Sequence, residues 1–281
     1  MKAQSLAICI PNYGCNKSCP YCISKLTGGV AENNDLIYRN VDKVVKLATT
    51  SNVNSVILTG KGEPLLHMRA VMYFGEHFKD FPIEIQTNGL ALLAHREMIK
   101  TLYDSGVNVI AFSFDNISNF EKFKDVIADV QSLGMIVRVT FNVTDKYRAP
   151  IVTDNIRLCT FIDLCKKHSV RQLSFRNITI PHNYNDGNAP DKDAKKVVNW
   201  IKKNTERRFY KALIDGVIAA KGNLIRKLAF DAQVIDIEGI AVTYFDYCLQ
   251  DSHHEEDIRN IIFAEDGHCY TSWASRASIL F

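Results

Sequence analysis

Three cysteines lie close together near the start of the chain, in the stretch Cys15-Asn16-Lys17-Ser18-Cys19-Pro20-Tyr21-Cys22. Their spacing, C-x3-C-x2-C, lets three soft thiolates surround one corner of a small inorganic cluster, and a cubane [4Fe–4S] cluster needs four ligands. The iron without a protein thiolate is then free to accept another molecule. Zinc sites more often pair two C-x2-C units, so a zinc knuckle is the weaker alternative, together with three unrelated buried cysteines. The spacing favours an iron–sulfur cluster.

A second stretch that could lie close to a ligand is Thr59-Gly60-Lys61-Gly62-Glu63-Pro64-Leu65-Leu66, directly after the apolar run 55–58. Gly60 and Gly62 leave room for a ligand at the end of a strand. Together with the aromatic Tyr21 before the last cysteine, the two stretches resemble the signature of the radical S-adenosylmethionine (radical SAM) superfamily. The second stretch matches its Gly-Gly-Glu-Pro turn with one extra residue between the glycines. A plain strand-to-helix turn is the alternative.

The resemblance implies the chemistry and its cofactors. Cys15, Cys19 and Cys22 would hold a [4Fe–4S] cluster as both metal ligands and catalytic residues, and S-adenosylmethionine would chelate the fourth iron. An electron from a reductant such as flavodoxin or ferredoxin then cleaves S-adenosylmethionine to a 5′-deoxyadenosyl radical, which abstracts a hydrogen atom from the substrate. In such enzymes the cofactors carry the hard chemistry, while the protein positions them.

The same resemblance implies which residues contact S-adenosylmethionine. They are Tyr21, Gly60, Gly62, Glu63, Pro64, Thr87, Asn88, Ser113, Asp115, Arg138, Asn142 and Arg176. The glycine turn would hold the methionyl ammonium mostly through backbone carbonyls, and an arginine suits the methionyl carboxylate because the two groups pair through two hydrogen bonds. Arg138 and Asn142 lie four residues apart on one expected strand and so share a face. For the strand-end residues from Ser113 onward, an outward-facing position is the alternative.

Apolar runs typical of strands alternate with helical patterns through the first two thirds of the chain. We expect strands over 6–10, 55–58, 83–86, 107–114, 136–143 and 172–180, and helices over 40–49, 66–78, 95–104, 118–133 (with Ser118 as N-cap) and 154–168. Such alternation predicts an α/β fold in which helices cover a parallel sheet. Six units are too few for eight strands, so we expect a partial (β/α)6 TIM-type barrel, with the chemistry at the carboxyl ends of its strands.

The stretch 181–190 contains two prolines, three asparagines and a glycine, which is typical of a linker. We therefore expect a core over residues 1–181 and an extension over 182–281 that caps the barrel. The extension reads as helical over 192–220 and rich in strands over 223–247. Asp266-Gly267 between apolar runs predicts a β-hairpin.

Composition limits the partners and the compartment. A net charge of +3 does not favour nucleic acid and leaves it open. The basic residues Lys202, Lys203, Arg207, Arg208 and Lys211 are interpreted as one solvated helix face. No run is apolar enough to span a membrane, and the first ten residues do not resemble a signal peptide. Eight cysteines without an export signal indicate a reducing compartment, and we expect the cytoplasm.

Substrate and reaction subclass are less constrained. The strand pattern most resembles molybdenum-cofactor GTP cyclase-like members, but the tail contains only Cys248 and Cys269, which puts GTP cyclisation and an auxiliary cluster in doubt. A small-molecule substrate such as a nucleotide is the first interpretation. Peptide modification and RNA methylation are the alternatives among enzymes. A zinc or iron–sulfur module that senses redox state without catalysis is the alternative outside them.

Overall fold

The computed structural model describes residues 1–11, 14–26, 31–144, 155–181, 191–205, 215–216, 218–228, 232–245, 258–273 and 275–281, and for residues 155–159 the backbone alone. The chain divides into two compact units. Unit 1 comprises Met1–Ile110 and Ser252–Phe281, and unit 2 comprises Ala111–Asp251. Within the described residues, no helix is long and apolar enough to cross a membrane.

Strands and helices alternate along the chain. The strands are β1 (Ala3–Cys9), β2 (Ser55–Thr59), β3 (Ile83–Thr87), β4 (Val107–Phe114), β5 (Ile136–Val143), β6 (Gln172–Asn177), β7 (Gly222–Lys227), β8 (Gln233–Ile237), β9 (Ile240–Phe245), β10 (Ile258–Phe263) and β11 (Cys269–Tyr270). The helices are α1 (Asn34–Thr50), α2 (Met68–His77), α3 (Leu90–Ala94), α4 (Met98–Asp104), α5 (Asn119–Lys122), α6 (Lys124–Ser132), α7 (Asn155–Lys167) and α8 (Lys192–Asn204). Strand β4 begins in unit 1 and ends in unit 2.

In unit 1 the strands lie in the order β11-β10-β1-β2-β3. Strands β10, β1, β2 and β3 are parallel, and β11 is antiparallel to β10. The register sets Ile8 beside both Leu58 and Phe263, all fully or almost fully buried. Helix α1 buries Ile37, Val41, Val44 and Ala48, which recur at helical spacing on one side. Burial of these apolar faces stabilises the unit.

In unit 2 the order is β5-β6-β9-β8-β7, with β5, β6 and β9 parallel and β7, β8 and β9 antiparallel. One face of these strands, together with the helices packed on it, carries a cluster of aromatic side chains, each at most 1% exposed. They are Phe112, Phe114, Phe120, Phe123, Phe141, Phe161 and Phe175. Their rings contact edge to face or tilted, at centroid distances from 4.6 Å for Phe141–Phe161. The opposite face is polar, with a hydrogen bond of 2.7 Å between the hydroxyls of Ser174 and Thr243.

One of the expected helices is divided into two. The helix expected over 118–133 is two helices, α5 and α6, joined at Phe123, whose φ of −103° and ψ of 6° end the first helix. Phe123 is buried against Phe114 at a centroid distance of 5.3 Å, so packing outweighs the helical pattern. Ser118 is not a side-chain N-cap, because its conformation is already helical; its N–H donates to Asn116 Oδ1 at 3.0 Å.

Strands of the last hundred residues, which were expected to cap the barrel, are hydrogen-bonded into the same sheets as the first six strands. The hairpin predicted at Asp266-Gly267 is confirmed, with Phe263 opposite Cys269. Strand β10 of this hairpin also pairs in parallel with β1, and β9 pairs in parallel with β6. The sequence did not predict these two parallel pairings, because the strands that they join are far apart in the chain. The domain boundary at residue 181 stays a prediction.

Candidate functional site

The cysteine loop follows β1 in unit 1. Cys15 is exposed, Cys19 and Cys22 are half-buried, and all three are free thiols. The N–H of Cys22 donates to the carbonyl of Cys19 at 3.3 Å, and a short 3-10 helix, Ile23–Lys25, follows. Tyr21 is buried. Three thiols on one accessible loop can supply three of the four ligands of a [4Fe–4S] cluster.

The three sulfurs do not form a closed ligand set in this structure. In the part of the chain that the structure describes, no three His, Cys, Asp or Glu side chains are placed so that they could hold a metal ion. The Sγ atom of Cys15 accepts a hydrogen bond from the backbone N–H of Lys17 at 3.4 Å. The loop therefore supplies ligands of the type that an iron–sulfur cluster uses.

The glycine-rich turn lies against the start of the cysteine loop. A Cβ on Gly60 would lie 3.0 Å from the carbonyl oxygen of Ile10, at the end of β1. The N–H of Glu63 donates to the carbonyl of Gly14 at 3.0 Å. Glycine at position 60 thus lets the backbones after β1 and β2 approach closely.

The carboxylate of Glu63 connects this turn to the end of β3. Its Oε1 accepts from the backbone N–H of Leu65 at 3.2 Å and from the hydroxyl of Thr87 at 2.5 Å, and its Oε2 accepts from the N–H of Asn88 at 2.9 Å. Burial raises the pKa of Glu63, while these three hydrogen bonds stabilise the anion and oppose the shift. The Glu63 side chain therefore links the turn after β2 to the end of β3 through hydrogen bonds.

Asn88 extends the connection to the cysteines. Its side-chain Nδ2 donates to Asn16 Oδ1 at 2.8 Å and lies 3.8 Å from the Sγ atom of Cys15, within hydrogen-bond range for sulfur. Its Oδ1 accepts from the N–H of Leu90 at 2.9 Å, at the start of α3. Asn16 was not among the predicted site residues, although its place inside the cysteine spacing was the available signal.

The predicted residues therefore divide between the units. Unit 1 brings together the cysteine loop, the turn from Gly60 to Pro64, and Thr87 with Asn88. Unit 2 carries Ser113, Asp115, Arg138, Asn142 and Arg176. Ser113 and Asp115 are half-buried at the end of β4, on the opposite side from Phe112 and Phe114.

Arg138, Asn142 and Arg176 lie on one half-buried face of unit 2. The Nε of Arg138 donates to Gln172 Oε1 at 2.8 Å, so its neighbour Gln172, which was not predicted, orients it. Asn142 is the register partner of Arg176, at the carboxyl ends of β5 and β6. In the same register Arg176 adjoins Phe245 of β9. Asn142, Arg176 and Phe245 thus form one row across the carboxyl ends of β5, β6 and β9.

Other cysteines, basic residues and acidic residues lie away from this site or outside the described part of the chain. The side chain of Cys159, and Arg207, Arg208, Lys211, Cys248 and the acidic stretch with His253, lie outside the described residues. Cys165 and Cys269 are buried, and burial raises the pKa of each thiol to about 12. Such thiols behave as small apolar side chains.

Comparison with known proteins addresses the family. A sequence profile of the radical SAM superfamily matches residues 9–191. A GTP 3′,8-cyclase from Clostridium acetobutylicum is 30% identical over 128 residues, which are 44% of this chain and 37% of the cyclase. A protein from Methanocaldococcus jannaschii described as a glycyl-radical enzyme activating enzyme is 26% identical over 166 residues, 56% of this chain and 55% of that protein. The chain thus spans about two fifths to half of the length of these relatives.

Solved structures agree on the fold. Streptococcus suis SuiB bound to its precursor peptide SuiA superposes with a TM-score of 0.59 at 13% identity, over 97% of this chain and 60% of SuiB. The protein anSMEcpe with bound AdoMet and a peptide superposes with a TM-score of 0.54 at 16% identity, over 98% of this chain and 75% of that chain. At such identities the likeness concerns the fold, and it confirms the predicted α/β partial barrel.

The profile match extends over more than half of the chain and includes both the cysteine loop and the glycine turn. It also runs through β6, the last of the six strands expected from the alternating pattern. Structures of SuiB and anSMEcpe with S-adenosylmethionine bound belong to the same fold. On these grounds the chain is a member of the radical SAM superfamily, enzymes that use a [4Fe–4S] cluster together with S-adenosylmethionine.

Proposed function

We propose that this enzyme holds a [4Fe–4S] cluster through Cys15, Cys19 and Cys22, cleaves S-adenosylmethionine reductively, and abstracts a hydrogen atom from a small polar substrate. The observation that carries the proposal is a continuous hydrogen-bonded path in unit 1. It runs from Glu63 through the backbone of Asn88 to the sulfur of Cys15. The path ties the expected cofactor turn to the expected cluster loop.

When bound, the cluster supplies the electron that breaks the sulfonium bond of S-adenosylmethionine. The protein's own residues have other tasks. The thiols must lose their protons to become ligands. The turn from Gly60 to Pro64 presents its backbone to the methionyl group, and Glu63 holds that turn through Thr87 and Asn88. Tyr21, which is buried, fixes the far end of the loop.

Asn142 and Arg176, which the resemblance assigns to S-adenosylmethionine, lie with Phe245 in a row at the strand ends of unit 2, and we propose instead that this row binds a polar, anionic small-molecule substrate. Arg176 offers a planar set of donors that suits phosphate or carboxylate. Asn142 offers both a donor and an acceptor, and Phe245 offers an aromatic face beside them. A nucleotide carries all three matching features, and a GTP 3′,8-cyclase is among the relatives. Because the tail holds only two cysteines, we do not extend the proposal to GTP cyclisation itself.

A peptide substrate is the second candidate, and the observation that favours it is strand β7. Among the described strands of unit 2, β7 lies at the edge of the sheet. Its side chains Leu224 and Ile225 are 54% and 55% exposed. An extended peptide can add to such an edge through backbone hydrogen bonds. SuiB, which shares the fold, is seen with its precursor peptide.

Anaerobic reconstitution with iron and sulfide tests the proposal. After reduction by dithionite or a flavodoxin in the presence of S-adenosylmethionine, we expect about four irons per chain and release of 5′-deoxyadenosine, measured by mass spectrometry. Cys19→Ala should lose both, whereas Cys165→Ala, a cysteine buried elsewhere, should keep both. Bound zinc with intact S-adenosylmethionine would refute the proposal. Faster 5′-deoxyadenosine release with a nucleotide mixture would support a small substrate, and stimulation by peptides alone would favour the second candidate.

A further inference from the structure

The hairpin β10–β11 belongs to the tail of the chain, outside residues 9–191 that match the superfamily. Its turn is nevertheless fixed in unit 1. The carbonyl of Glu265 accepts from the N–H of Asn33 at 2.9 Å, and the carbonyl of Gly267 accepts from Asn40 Nδ2 at 2.7 Å. A Cβ on Gly267 would lie 2.8 Å from the backbone of α1, so the turn rests directly on that helix.

Further contacts hold the turn in one conformation. Asp266 accepts from the N–H of His268 at 3.1 Å and from the hydroxyl of Tyr270 at 2.7 Å. Tyr270 packs in turn with Cys9 and Ala264 in a small apolar cluster. The turn that carries Glu265 is therefore fixed on one side by Asn33 and Asn40 and on the other by His268 and Tyr270.

Glu265 is 2% exposed. Its carboxylate accepts a hydrogen bond from the backbone N–H of Lys61, in the middle of the glycine turn. The Lys61 ammonium also acts on this carboxylate through its charge. A buried carboxylate without donors is costly, and the hydrogen bond from Lys61 offsets part of that cost, while the Oε1 atom of Glu265 has no hydrogen-bond partner among the described residues. This contact therefore adds a restraint from the tail at Lys61, between the two glycines of the turn.

We infer that Glu265 is a positioning residue for S-adenosylmethionine binding, which holds the turn Gly60–Gly62 in its binding conformation through the N–H of Lys61. The inference rests on the proposed function and extends it to the tail. If Glu265 is removed, the turn samples other conformations, and the apparent affinity falls in proportion to the fraction of molecules that remain competent. The residue acts on the cofactor through the turn and without touching it.

Three variants test whether Glu265 positions the turn Gly60–Gly62 or affects only the stability of the hairpin. Glu265→Ala removes the acceptor, and Glu265→Gln keeps an acceptor oxygen without the charge. Asn260→Ala is the matched control, because it also removes one hydrogen bond from the hairpin, the one that the Ser5 hydroxyl donates to Asn260 Oδ1 at 2.7 Å, but does not contact the turn. Melting temperature and iron content are compared first, so that only folded proteins that load a cluster enter the binding measurement.

Hydrogen exchange, read by mass spectrometry on the cluster-free protein, reports on the contact alone. We expect faster exchange in the peptide that contains Lys61 for Glu265→Ala, and wild-type exchange for Glu265→Gln and Asn260→Ala. Calorimetric titration of the reconstituted proteins with S-adenosylmethionine should show a dissociation constant about tenfold higher for Glu265→Ala, the loss expected for one hydrogen bond to a charged group. For Glu265→Gln the change should stay within about threefold.

Either unchanged exchange or unchanged affinity in Glu265→Ala would overturn the inference. It would also fall if Glu265→Gln kept wild-type exchange but lost as much affinity as the alanine variant, since the charge would then act on the cofactor directly. Because the exchange arm contains no cofactor, it reports on the contact even if the wild-type protein fails to bind S-adenosylmethionine. That last result would instead overturn the proposed function.

Discussion

Single residues in unit 1 carry more than one hydrogen bond each, and two of them join separate parts of the candidate site. Glu63 accepts three hydrogen bonds, and Asn88 contributes its backbone to Glu63 and its side chain to Cys15 and Asn16. Hydrogen bonds to the sulfurs are one of the means by which a protein sets the potential of an iron–sulfur cluster. With Cys15 as the proposed cluster ligand, we propose that Asn88 tunes the cluster as well as shaping its loop.

We expect Asn88→Ala to lower the reduction potential of the reconstituted cluster. The amide hydrogen bond to Cys15 stabilises the more negative, reduced form, so its loss makes reduction harder. A redox titration followed by electron paramagnetic resonance measures the shift. Asn260→Ala serves as the control, because Asn260 bonds to Ser5 on β1. An unchanged or higher potential in Asn88→Ala would contradict this assignment.

We expect Glu63→Gln to lower the free energy of unfolding by roughly 1–3 kcal/mol, because an amide nitrogen would replace one of two oxygens that accept from Thr87 and Asn88. Urea denaturation of the cluster-free protein measures it. Glu76→Gln is the control: Glu76 is exposed and pairs with Lys79 at 2.7 Å, and such surface pairs contribute about 0–1 kcal/mol. Equal losses in the two variants would argue against the network.

The cysteines should differ sharply in reactivity. Burial raises the pKa of Cys165 and Cys269 to about 12, so at pH 8 these thiols hold almost no reactive thiolate. Cys15 is exposed. Alkylation of the cluster-free protein at pH 8 with peptide mapping should label Cys15 readily and leave Cys165 unlabelled until urea is added. Labelling of Cys165 at the rate of Cys15 would show that the packing is wrong there.

At the scale of elements, parallel pairing explains how the site forms. Strands β1, β2 and β3 are adjacent and parallel, so their carboxyl ends lie on the same edge, and the loops after them carry the cysteines, the glycine turn and Asn88. Helix α2 packs against the neighbouring strand β10, where Phe74 contacts Phe263 edge to face at a centroid distance of 6.2 Å. The position of the site loops therefore depends on packing between helix α2 and the sheet that carries them.

We expect Gly75→Ala to destabilise unit 1 by about 1–3 kcal/mol. Gly75 is buried in α2, and an added Cβ would lie 2.2 Å from the carbonyl oxygen of Ser105, which is backbone and cannot rotate away. Gly216→Ala is the matched control, since an added Cβ there meets no atom of the described residues within 4 Å. Thermal unfolding compares the two. Equal melting temperatures would contradict the close approach of α2 to the loop at Ser105.

At the scale of the whole molecule, the last part of the chain is structurally necessary to the first. Strand β10 supplies the parallel neighbour of β1, and Ser5 donates to Asn260 across that pairing. Unit 1 itself is discontinuous, because it consists of Met1–Ile110 and Ser252–Phe281. Loss of the final segment would leave β1 with an unpaired edge, which favours aggregation.

A chain that ends at residue 251 should therefore fail to fold cooperatively. It lacks β10 and the Ile261 and Phe263 side chains that unit 1 buries. Solubility and the sharpness of thermal unfolding by circular dichroism measure the outcome, with the full chain as reference. A truncated chain of residues 1–181 that unfolds cooperatively would support the domain boundary expected from the linker, and would contradict this view of unit 1.

Much of the site could be predicted because its chemistry is local in the chain. The cysteine spacing and the glycine turn each lie within eight residues. The alternation of strands and helices placed β4 and β5 with the observed bounds, because their apolar runs are long and end at clear breaks. Helix ends were less predictable: Phe123 interrupts a helical pattern because its ring packs with Phe112 and Phe114.

The amino-acid sequence by itself determined the family and the alternation of strands and helices, and it predicts the thiol ligands and the cofactor turn. Only the tertiary structure decided that the tail pairs with β1 and β6, that Glu63 binds the strand end at Thr87 and Asn88, and that Glu265 reaches Lys61. The physical reason is that a pairing between distant strands leaves no periodic signal in either one. The partner of a buried carboxylate likewise depends on which backbone N–H groups the fold brings within reach, and no local pattern records that.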